Sequence, residues 1–205
     1  MSVIPSQEII KAIDNGEIKI IPLLDSSVQI GKGSLDVRLG LDFILFRKRV
    51  MGAFDPLSGE APFLPMIGER IFLEPGQALV LHPGDFALSS TLEYVALGEK
   101  YMAYVEGRSS WGRLGLIVAT ATVVSPGYRG VITLELANLG VAPLYLYPGT
   151  RIAQLVFHEV KGGEIKDYSK TPSKYIGSLL PEVGFLWKDP EWEILKRMKE
   201  EKRGS

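Results

Sequence analysis

A short segment near the middle of the chain combines the residue types that bind phosphate groups. Arg108 and Arg113 bracket the hydroxyls of Ser109 and Ser110, and neighbouring glycines allow the backbone to approach a ligand. Guanidinium groups suit phosphate oxygens through paired hydrogen bonds, and serine hydroxyls add short ones. One carboxylate, Glu135, follows on a strand-like run further along the chain. Phosphate-binding groups followed by a strand carboxylate indicate nucleotide chemistry.

Glu135 stands in an alternating run that predicts a strand with two different faces. Even-numbered positions from 132 to 136 carry Ile or Leu and form a candidate core stripe, because side chains alternate along a strand. Thr133 and Ala137, which are small, flank Glu135 on the other face. A lone strand carboxylate is usually exposed, but small neighbours leave room for a pocket over this one. A carboxylate over such a pocket has the position of a general base, so Glu135 is a candidate for that role.

The composition is that of one globular unit. The chain has 205 residues, 46% of them hydrophobic and 23% charged, with a net charge of −1. That length is enough for one core with at most a small appendage. The absence of a long basic run argues against a nucleic-acid partner. With no membrane-length apolar run and no secretory leader, we expect a cytoplasmic protein without membrane contact.

The chain contains no cysteine, which excludes disulfides, thiolate nucleophiles and cysteine-based zinc sites. The two histidines, His82 and His158, are far apart in the sequence, and no nucleophile elbow accompanies them. We therefore interpret His82 as a turn residue and His158 as a strand-end residue, not as members of a catalytic triad.

Many short β-rich runs separated by turns predict the elements that position these groups. The runs are 35–39, 43–46, 78–81, 86–89, 101–105, 116–118, 131–136, 144–147 and 152–157. Pro-Gly dipeptides at 75–76, 83–84, 126–127 and 148–149 predict turns in which glycine takes a positive φ. Residues 49–70, rich in Pro and Gly, are interpreted as a long loop. The pattern predicts an antiparallel sandwich, jelly roll or barrel.

A helix is predicted at each end of the chain. The first begins with Ser6 as its N-cap and ends at Gly16, with an apolar stripe formed by Ile9, Ile10 and Ile13. The last begins with Asp189 as its cap and Pro190 in its first turn. Its predicted apolar face consists of Trp192, Leu195 and Met198, and Glu193 is predicted to pair with Arg197.

Several motifs in a fixed order resemble the dCTP deaminase family. The motifs are Ser-Leu-Asp-Val-Arg-Leu-Gly at 34–40, Gly-Arg-Ser-Ser-x-x-Arg-Leu-Gly-Leu at 107–116, Thr-Ala at 120–121, Pro-Gly-Tyr at 126–128, Gly130, Ile-Thr-Leu-Glu-Leu-x-Asn at 132–138, Pro-Gly at 148–149, Ile-Ala-Gln-Leu-Val-Phe at 152–157 and Lys-Tyr at 174–175. The order of several blocks makes the resemblance more specific than any single motif.

The resemblance implies a mainly β fold, a distorted jelly roll or β-barrel of the dUTPase-like type, to which the sequence pattern adds a short N-terminal helix and a C-terminal helix. It covers a β domain over residues 1–178, and the extension with a helix at 179–205 has no counterpart in the family pattern. It also implies a homotrimer with active sites between subunits, dCTP and dUTP as ligands, dTTP as a candidate inhibitor, and deamination without zinc. Magnesium would be bound through the triphosphate.

The resemblance also assigns roles to residues. Glu135 would activate water and shuttle protons, and Ser109 and Arg113 would hold the water and orient Glu135. The nucleotide-binding set would comprise Arg108, Ser109, Ser110, Arg113, Thr120, Ala121, Ser125, Thr133, Leu134, Glu135, Asn138, Gln154, Tyr168, Lys174 and Ser178. No residue of the chain is assigned to a metal.

This chain departs from the family pattern at two site positions. Ser125 stands where the family usually has Asp, and Ser178 stands where it usually has Gln. Three functions therefore stay open. The first is dCTP deamination to dUTP and ammonia. The second is dUTP diphosphatase activity, alone or with deamination, which Ser125 disfavours because serine cannot replace a carboxylate base. The third is a nucleotide-binding trimer without catalysis.

Overall fold

The computed structural model describes residues 2–46, 57, 68–118, 123–161, 175, 177–185 and 188–203. Within these ranges the chain is mainly β. The strands are β1 (Ile18–Ile21), β2 (Leu35–Phe46), β3 (Gly68–Phe72), β4 (Leu79–Leu81), β5 (Phe86–Leu97), β6 (Tyr101–Gly107), β7 (Leu116–Val118), β8 (Val123–Val124), β9 (Arg129–Asn138), β10 (Leu144–Leu146) and β11 (Arg151–Glu159). The helices are α1 (Ser6–Asp14), α2 (Ser26–Gln29), α3 (Ser109–Gly112) and α4 (Trp192–Arg203).

Most of these strands form one curled antiparallel sheet. Its order in the described ranges is β7-β9-β5-β2-β11-β6-β8, with β1 added beside β5 and β3 beside β2. The long strand β2 changes partner along its length, because residues 35–38 pair with β11 and residues 39–45 pair with β5. Register shifts accompany this change, and such shifts bend a sheet. The sheet therefore curls into a half-barrel around its core.

The bend in β2 requires glycine at position 40. A Cβ atom built on Gly40 would lie 2.8 Å from the Ser90 Oγ and 2.9 Å from the Ser90 carbonyl oxygen. These distances are too short for real carbon–oxygen contacts, so β2 and β5 approach here only because Gly40 has no side chain.

The core is one cluster of buried side chains from the strands and from α1. Its largest fully buried side chains include Phe43, Phe157 and Leu134 from three different strands, and Ile9 from α1. Each buried aliphatic or aromatic side chain contributes about 1.5–3 kcal/mol relative to an exposed one. The alternation of Leu35, Val37 and Leu39 inside with polar residues outside follows the predicted period of two.

The predicted mainly β fold with a helix at each end is confirmed. The runs predicted at 35–39 and 43–46 belong to one continuous strand, β2, and the run at 86–89 is the first third of β5. The prediction omitted β1, β3 and β8, which are short or interrupted by charged residues. The four predicted turn glycines all have positive φ, between 76° and 93°. Most of the predicted loop at 49–70 lies outside the described residues.

The helix predictions were wrong in detail. The N-cap of α1 is Pro5, not Ser6, and no side chain caps it. Ile10 is 45% exposed, whereas Ala12 is buried beside Ile9, because the buried face is narrower than the apolar stripe suggested. The last helix, α4, begins at Trp192, three positions after the predicted cap Asp189.

The predicted apolar face of α4 is only partly buried. Trp192 is buried, but Leu195 and Met198 are largely exposed. Glu193 pairs with Lys196, at 3.3 Å, rather than with the predicted partner Arg197.

The predicted roles of the histidines are confirmed, because the His82 carbonyl accepts a turn hydrogen bond from the Asp85 amide and His158 lies near the end of β11. Among the described residues, no helix has the length and apolar character needed to cross a bilayer.

Candidate functional site

Glu135 lines a cavity of about 390 Å³ beside the middle of β9. We call it the Glu135 cavity. Its lining comprises Phe46, Phe86, Leu88, Val123, Val124, Ser125, Tyr128, Val131, Ile132, Thr133, Glu135, Tyr175, Ser178, Glu182 and Gly184. Its volume lies at the lower end of the range of small-molecule sites.

The strand β9 carries Glu135 into this cavity by simple alternation. Leu134 and Leu136 are fully buried in the core, so Glu135 projects to the opposite face, as predicted. Thr133 lies two positions earlier on the same face and lines the same cavity. Burial raises the pKa of Glu135 above its ordinary value of 4.5, because the half-buried carboxylate loses part of its hydration. A carboxyl with a raised pKa suits proton transfer near neutral pH.

An apolar wall and several hydroxyls share the cavity with Glu135. The rings of Phe46 and Phe86 lie 5.2 Å apart and form one side. The hydroxyl of Tyr128 donates to the Val131 carbonyl at 2.7 Å, which fixes the tyrosine beside β9. Apolar surface with a few fixed polar groups is the usual character of a small-molecule site.

The C-terminal segment 177–185 lies along β9 and contributes to the lining of the cavity. The Gly177 amide donates to the Arg129 carbonyl at 2.7 Å, and the Val131 amide donates to the Ser178 carbonyl at 2.8 Å. The Glu182 amide donates to the Thr133 Oγ1 at 3.2 Å. These contacts hold a second carboxylate, Glu182, in the lining of the same cavity as Glu135.

The phosphate-binding segment lies at a different place on the molecule. Arg108, Ser110 and Trp111 line an open depression together with Arg38, Leu114, Gly149, Thr150 and Arg151. We call it the arginine pocket. Its guanidinium groups and its open form suit a charged, flexible group such as a triphosphate.

Backbone and side-chain contacts orient the arginine pocket. The Trp111 indole nitrogen donates to the Arg151 carbonyl at 3.0 Å and holds α3 against β11. The Asp36 carboxylate lies 3.0 Å from the Arg151 Nη1 and 3.4 Å from the Arg108 Nε. A guanidinium has five N–H donors, so Arg108 keeps further donors after this contact. Asp36 therefore sets the direction of Arg108 without neutralising both arginines.

A buried carboxylate stands behind the arginine pocket. Glu93 is fully buried, and its Oε2 accepts a hydrogen bond from the Arg38 amide at 2.8 Å. Its Oε1 lies 3.1 Å from the Gln29 Nε2 and 3.3 Å from the Arg38 Nη1. Burial raises the pKa of Glu93, although the hydrogen bonds from Arg38 act in the opposite direction. No local motif predicts this cluster, because its members are far apart along the chain.

Within one chain, the structure separates two groups of predicted site residues. Glu135, Thr133, Ser125 and Ser178 line the Glu135 cavity, whereas Arg108 and Ser110 line the arginine pocket. Ser109 and Arg113 are exposed in and after α3 and are not among the described residues that line the Glu135 cavity. Within one chain, neither lining therefore joins these two residues to Glu135, and their predicted role in orienting it stays a prediction.

Other predicted residues have structural partners or lie outside the described ranges. Asn138 is buried, and its amide donates to the carbonyls of Leu81 and Ala142. The Gln154 Oε1 accepts from the Ser34 hydroxyl at 3.3 Å, and the side chain of Leu134 lies in the core. Thr120, Ala121, Tyr168 and Lys174 lie outside the described residues.

Sequence reasoning missed Glu182, Glu93 and the role of Asp36. Glu182 follows the last recognised motif, and only the return of the chain along β9 brings it to the cavity. Among the described residues, no group of three or more His, Asp or Glu side chains is arranged to hold a metal ion.

Comparisons with known proteins agree with these features. A family model described as dCTP deaminase-like matches residues 3–160. The dCTP deaminase of Natronomonas pharaonis is 40% identical over 192 residues, which cover 93% of this chain and 97% of that protein. A protein of Methanothermobacter thermautotrophicus, named dCTP deaminase, dUMP-forming, is 38% identical over 194 residues, with 93% and 97% covered.

A solved structure gives the same result for the fold. The 2′-deoxycytidine 5′-triphosphate deaminase from Agrobacterium tumefaciens superposes with a TM-score of 0.58 at 25% identity. The match covers 75% of this chain and 46% of that chain.

Proposed function

Because the chain belongs to the dCTP deaminase-like family, we propose that it hydrolyses the amino group of dCTP and releases dUTP and ammonia. The observation that carries this proposal is the position of Glu135. Its carboxylate is half-buried, has a raised pKa and lines a cavity with an apolar aromatic wall. A cytosine ring fits such a wall, and the carboxylate is available for proton transfer.

Glu135 performs both proton transfers in the proposed mechanism. It takes a proton from a water molecule, and the resulting hydroxide attacks C4 of the cytosine ring. The carboxylic acid then protonates N3, which neutralises the charge that develops on the ring. A second transfer through Glu135 moves the remaining hydroxyl proton to the amino group, and ammonia leaves as the C4 carbonyl forms. Glu135 returns to its ionised state, so the cycle is balanced.

We further propose that a neighbouring subunit completes each site. The Glu135 cavity and the arginine pocket are separate within one chain, although one nucleotide needs both a base site and a phosphate site. In a homotrimer with sites between subunits, Arg108 and Ser110 of one subunit contact the triphosphate, and Ser109 and Arg113 orient water near Glu135 of the next. Magnesium is bound through the phosphates, because the arginine pocket offers cationic groups rather than oxygen ligands. The predicted cytoplasmic location is part of this proposal.

A second function is formation of dUMP by further hydrolysis of dUTP to dUMP and pyrophosphate. The observation that favours it is the relative of similar identity that is named dUMP-forming. Ser125 disfavours it, because this serine occupies the cavity at the position where the family pattern has Asp. We therefore prefer deamination alone.

One assay separates these functions. The purified protein is incubated with magnesium and either dCTP or dUTP, and ammonia and pyrophosphate are measured. Ammonia from dCTP without pyrophosphate supports the first function. Pyrophosphate from either nucleotide supports the second. Nucleotide binding with neither product supports a non-catalytic trimer. Light scattering of the same sample gives the oligomeric state.

A further inference from the structure

We infer that Glu182 determines specificity in the Glu135 cavity by accepting a hydrogen bond from the 3′-hydroxyl of the bound deoxynucleotide. This inference rests on the proposed function, because it requires a nucleotide whose base lies against Glu135. It concerns a residue beyond the family match, which ends at residue 160.

The backbone holds Glu182 firmly at the cavity. Its amide donates to the Thr133 Oγ1 at 3.2 Å, and the preceding carbonyl, of Pro181, accepts from the Arg70 Nη2 at 3.1 Å. The Val131 amide binds the Ser178 carbonyl at 2.8 Å on the same segment. A segment tied at three points presents the Glu182 side chain to the cavity at a fixed place.

One oxygen of this carboxylate needs a hydrogen-bond donor. The Glu182 Oε2 is buried, and no hydrogen-bond donor reaches it from the described part of the chain. An unpaired buried carboxylate oxygen is costly, and proteins rarely retain one without a functional reason. A hydroxyl group of a ligand in the cavity would supply the missing donor.

The position of Glu182 selects the sugar as that donor. Glu182 is bound to Thr133, which lies two residues from Glu135 on one face of β9, a spacing of about 7 Å. That spacing is comparable to the distance between C4 of cytosine, which carries the amino group, and the 3′-hydroxyl of the sugar. The amino group itself faces Glu135 in the proposed mechanism. The triphosphate repels a carboxylate, so it does not lie against Glu182. The 3′-hydroxyl is the donor that is left.

The experiment compares dCTP with 2′,3′-dideoxy-CTP, which lacks only this hydroxyl. The parent protein and the Glu182→Ala, Glu182→Gln and Glu200→Ala variants are assayed for ammonia release with both nucleotides. Glu200 is exposed on α4 and provides the matched control. Thermal unfolding of each variant verifies the fold.

We expect the parent protein and the Glu200→Ala control to prefer dCTP by about 10- to 100-fold in kcat/KM, the range for a hydrogen bond to a charged group. Glu182→Ala should lose that factor with dCTP and change little with dideoxy-CTP, so that the ratio approaches one. Glu182→Gln should lie between them, because its amide oxygen is a weaker, neutral acceptor.

Three results would overturn the inference while leaving deamination intact. The first is a dCTP preference that persists in Glu182→Ala. The second is an equal loss with both nucleotides, which indicates a structural role. The third is release of pyrophosphate by the parent protein that the single change Glu182→Gln abolishes, which would make Glu182 a general base. If the parent protein releases no ammonia, the proposed function fails, and dissociation constants of the two nucleotides measured by calorimetry still test the contact.

Discussion

Arg38 and Glu93 meet through two separate hydrogen bonds, one from the backbone and one from the side chain. The Arg38 amide donates to the Glu93 Oε2 at 2.8 Å, and the Arg38 Nη1 lies 3.3 Å from the Glu93 Oε1. The pair joins β2 to β5 and places Arg38 in the lining of the arginine pocket. We therefore expect Glu93 to stabilise the fold and to position Arg38 in the proposed phosphate site.

Replacing Glu93 should destabilise the fold. In Glu93→Gln, the new NH₂ group faces another hydrogen-bond donor, either the backbone N–H of Arg38 or the side-chain NH₂ of Gln29. We therefore expect a loss of about 1–3 kcal/mol in the free energy of unfolding. Glu93→Ala leaves the Arg38 guanidinium without its buried partner and should cost about 3–5 kcal/mol. Urea unfolding measures both values, with Glu200→Gln on the exposed face of α4 as the control. A change below about 0.5 kcal/mol in Glu93→Gln would contradict this prediction.

The same residue should make stability depend on pH in a defined direction. Burial raises the pKa of Glu93 above 4.5, so the folded protein binds a proton that the unfolded chain releases between these two values. The contribution of Glu93 to the free energy of unfolding is present in full below pH 4.5. It is lost as the pH rises through the pKa that Glu93 has in the folded protein. Glu93→Gln should show a flatter profile than the parent protein in that window. Urea unfolding at a series of pH values gives the comparison, and identical slopes would rule out a raised pKa.

Glu135→Gln should abolish ammonia release and leave nucleotide binding nearly unchanged, because the amide keeps the shape of the side chain but cannot accept the proton from water. Glu135→Asp keeps a titratable carboxyl and should retain reduced activity. In the parent protein, kcat/KM should rise with pH through the raised pKa of Glu135, above 4.5, because the base must be ionised. Ammonia release and calorimetric binding check these outcomes. Full activity in Glu135→Gln would refute its role as the base.

Local patterns predicted the strand of Glu135 correctly. The alternation of β9 placed Leu134 and Leu136 in the core and Glu135 on the opposite face, because one buried face fixes which residues point inward. The positive φ of the four Pro-Gly glycines followed from turn chemistry in the same way. Features that depend on neighbours along the chain are therefore readable from the sequence.

Features that depend on tertiary contact were not readable. The N-cap of α1 is Pro5 rather than the predicted Ser6, and Ile10 is exposed rather than buried. Packing against the sheet decides which face of the helix is buried. Glu182 reaches the cavity only through the return of residues 177–185 along β9. The separation of Arg108 from Glu135 within one chain likewise depends on the curl of the sheet and has no local signal.

Changes in the arginine pocket should weaken nucleotide binding more than catalysis. Arg108→Ala removes a guanidinium contact to phosphate and should raise KM by about 10- to 100-fold, with a smaller effect on kcat. Asp36→Asn weakens the contacts at 3.0 Å to Arg151 and 3.4 Å to Arg108 and should raise KM by a smaller factor. Steady-state kinetics with dCTP distinguish the two parameters, and Lys161→Ala, an exposed charge change, is the control. An unchanged KM in Arg108→Ala would exclude this pocket as the phosphate site.

Gly130 should control the attachment of the C-terminal segment. Its φ is +151°, and a Cβ atom built on it would lie 3.0 Å from the Ser178 carbonyl oxygen and 3.2 Å from the Ser178 nitrogen. Gly130→Ala should therefore push residues 177–185 away from β9 and lower the free energy of unfolding by about 1–3 kcal/mol. Because Ser178 and Glu182 line the Glu135 cavity, KM for dCTP should rise as well. Gly184→Ala, in the same segment, is the matched control for stability and proteolysis, since nothing lies within 4 Å of its Cβ position. Limited proteolysis should cut the C-terminal segment faster in Gly130→Ala than in the control, and equal rates would show that this close contact does not hold the segment in place.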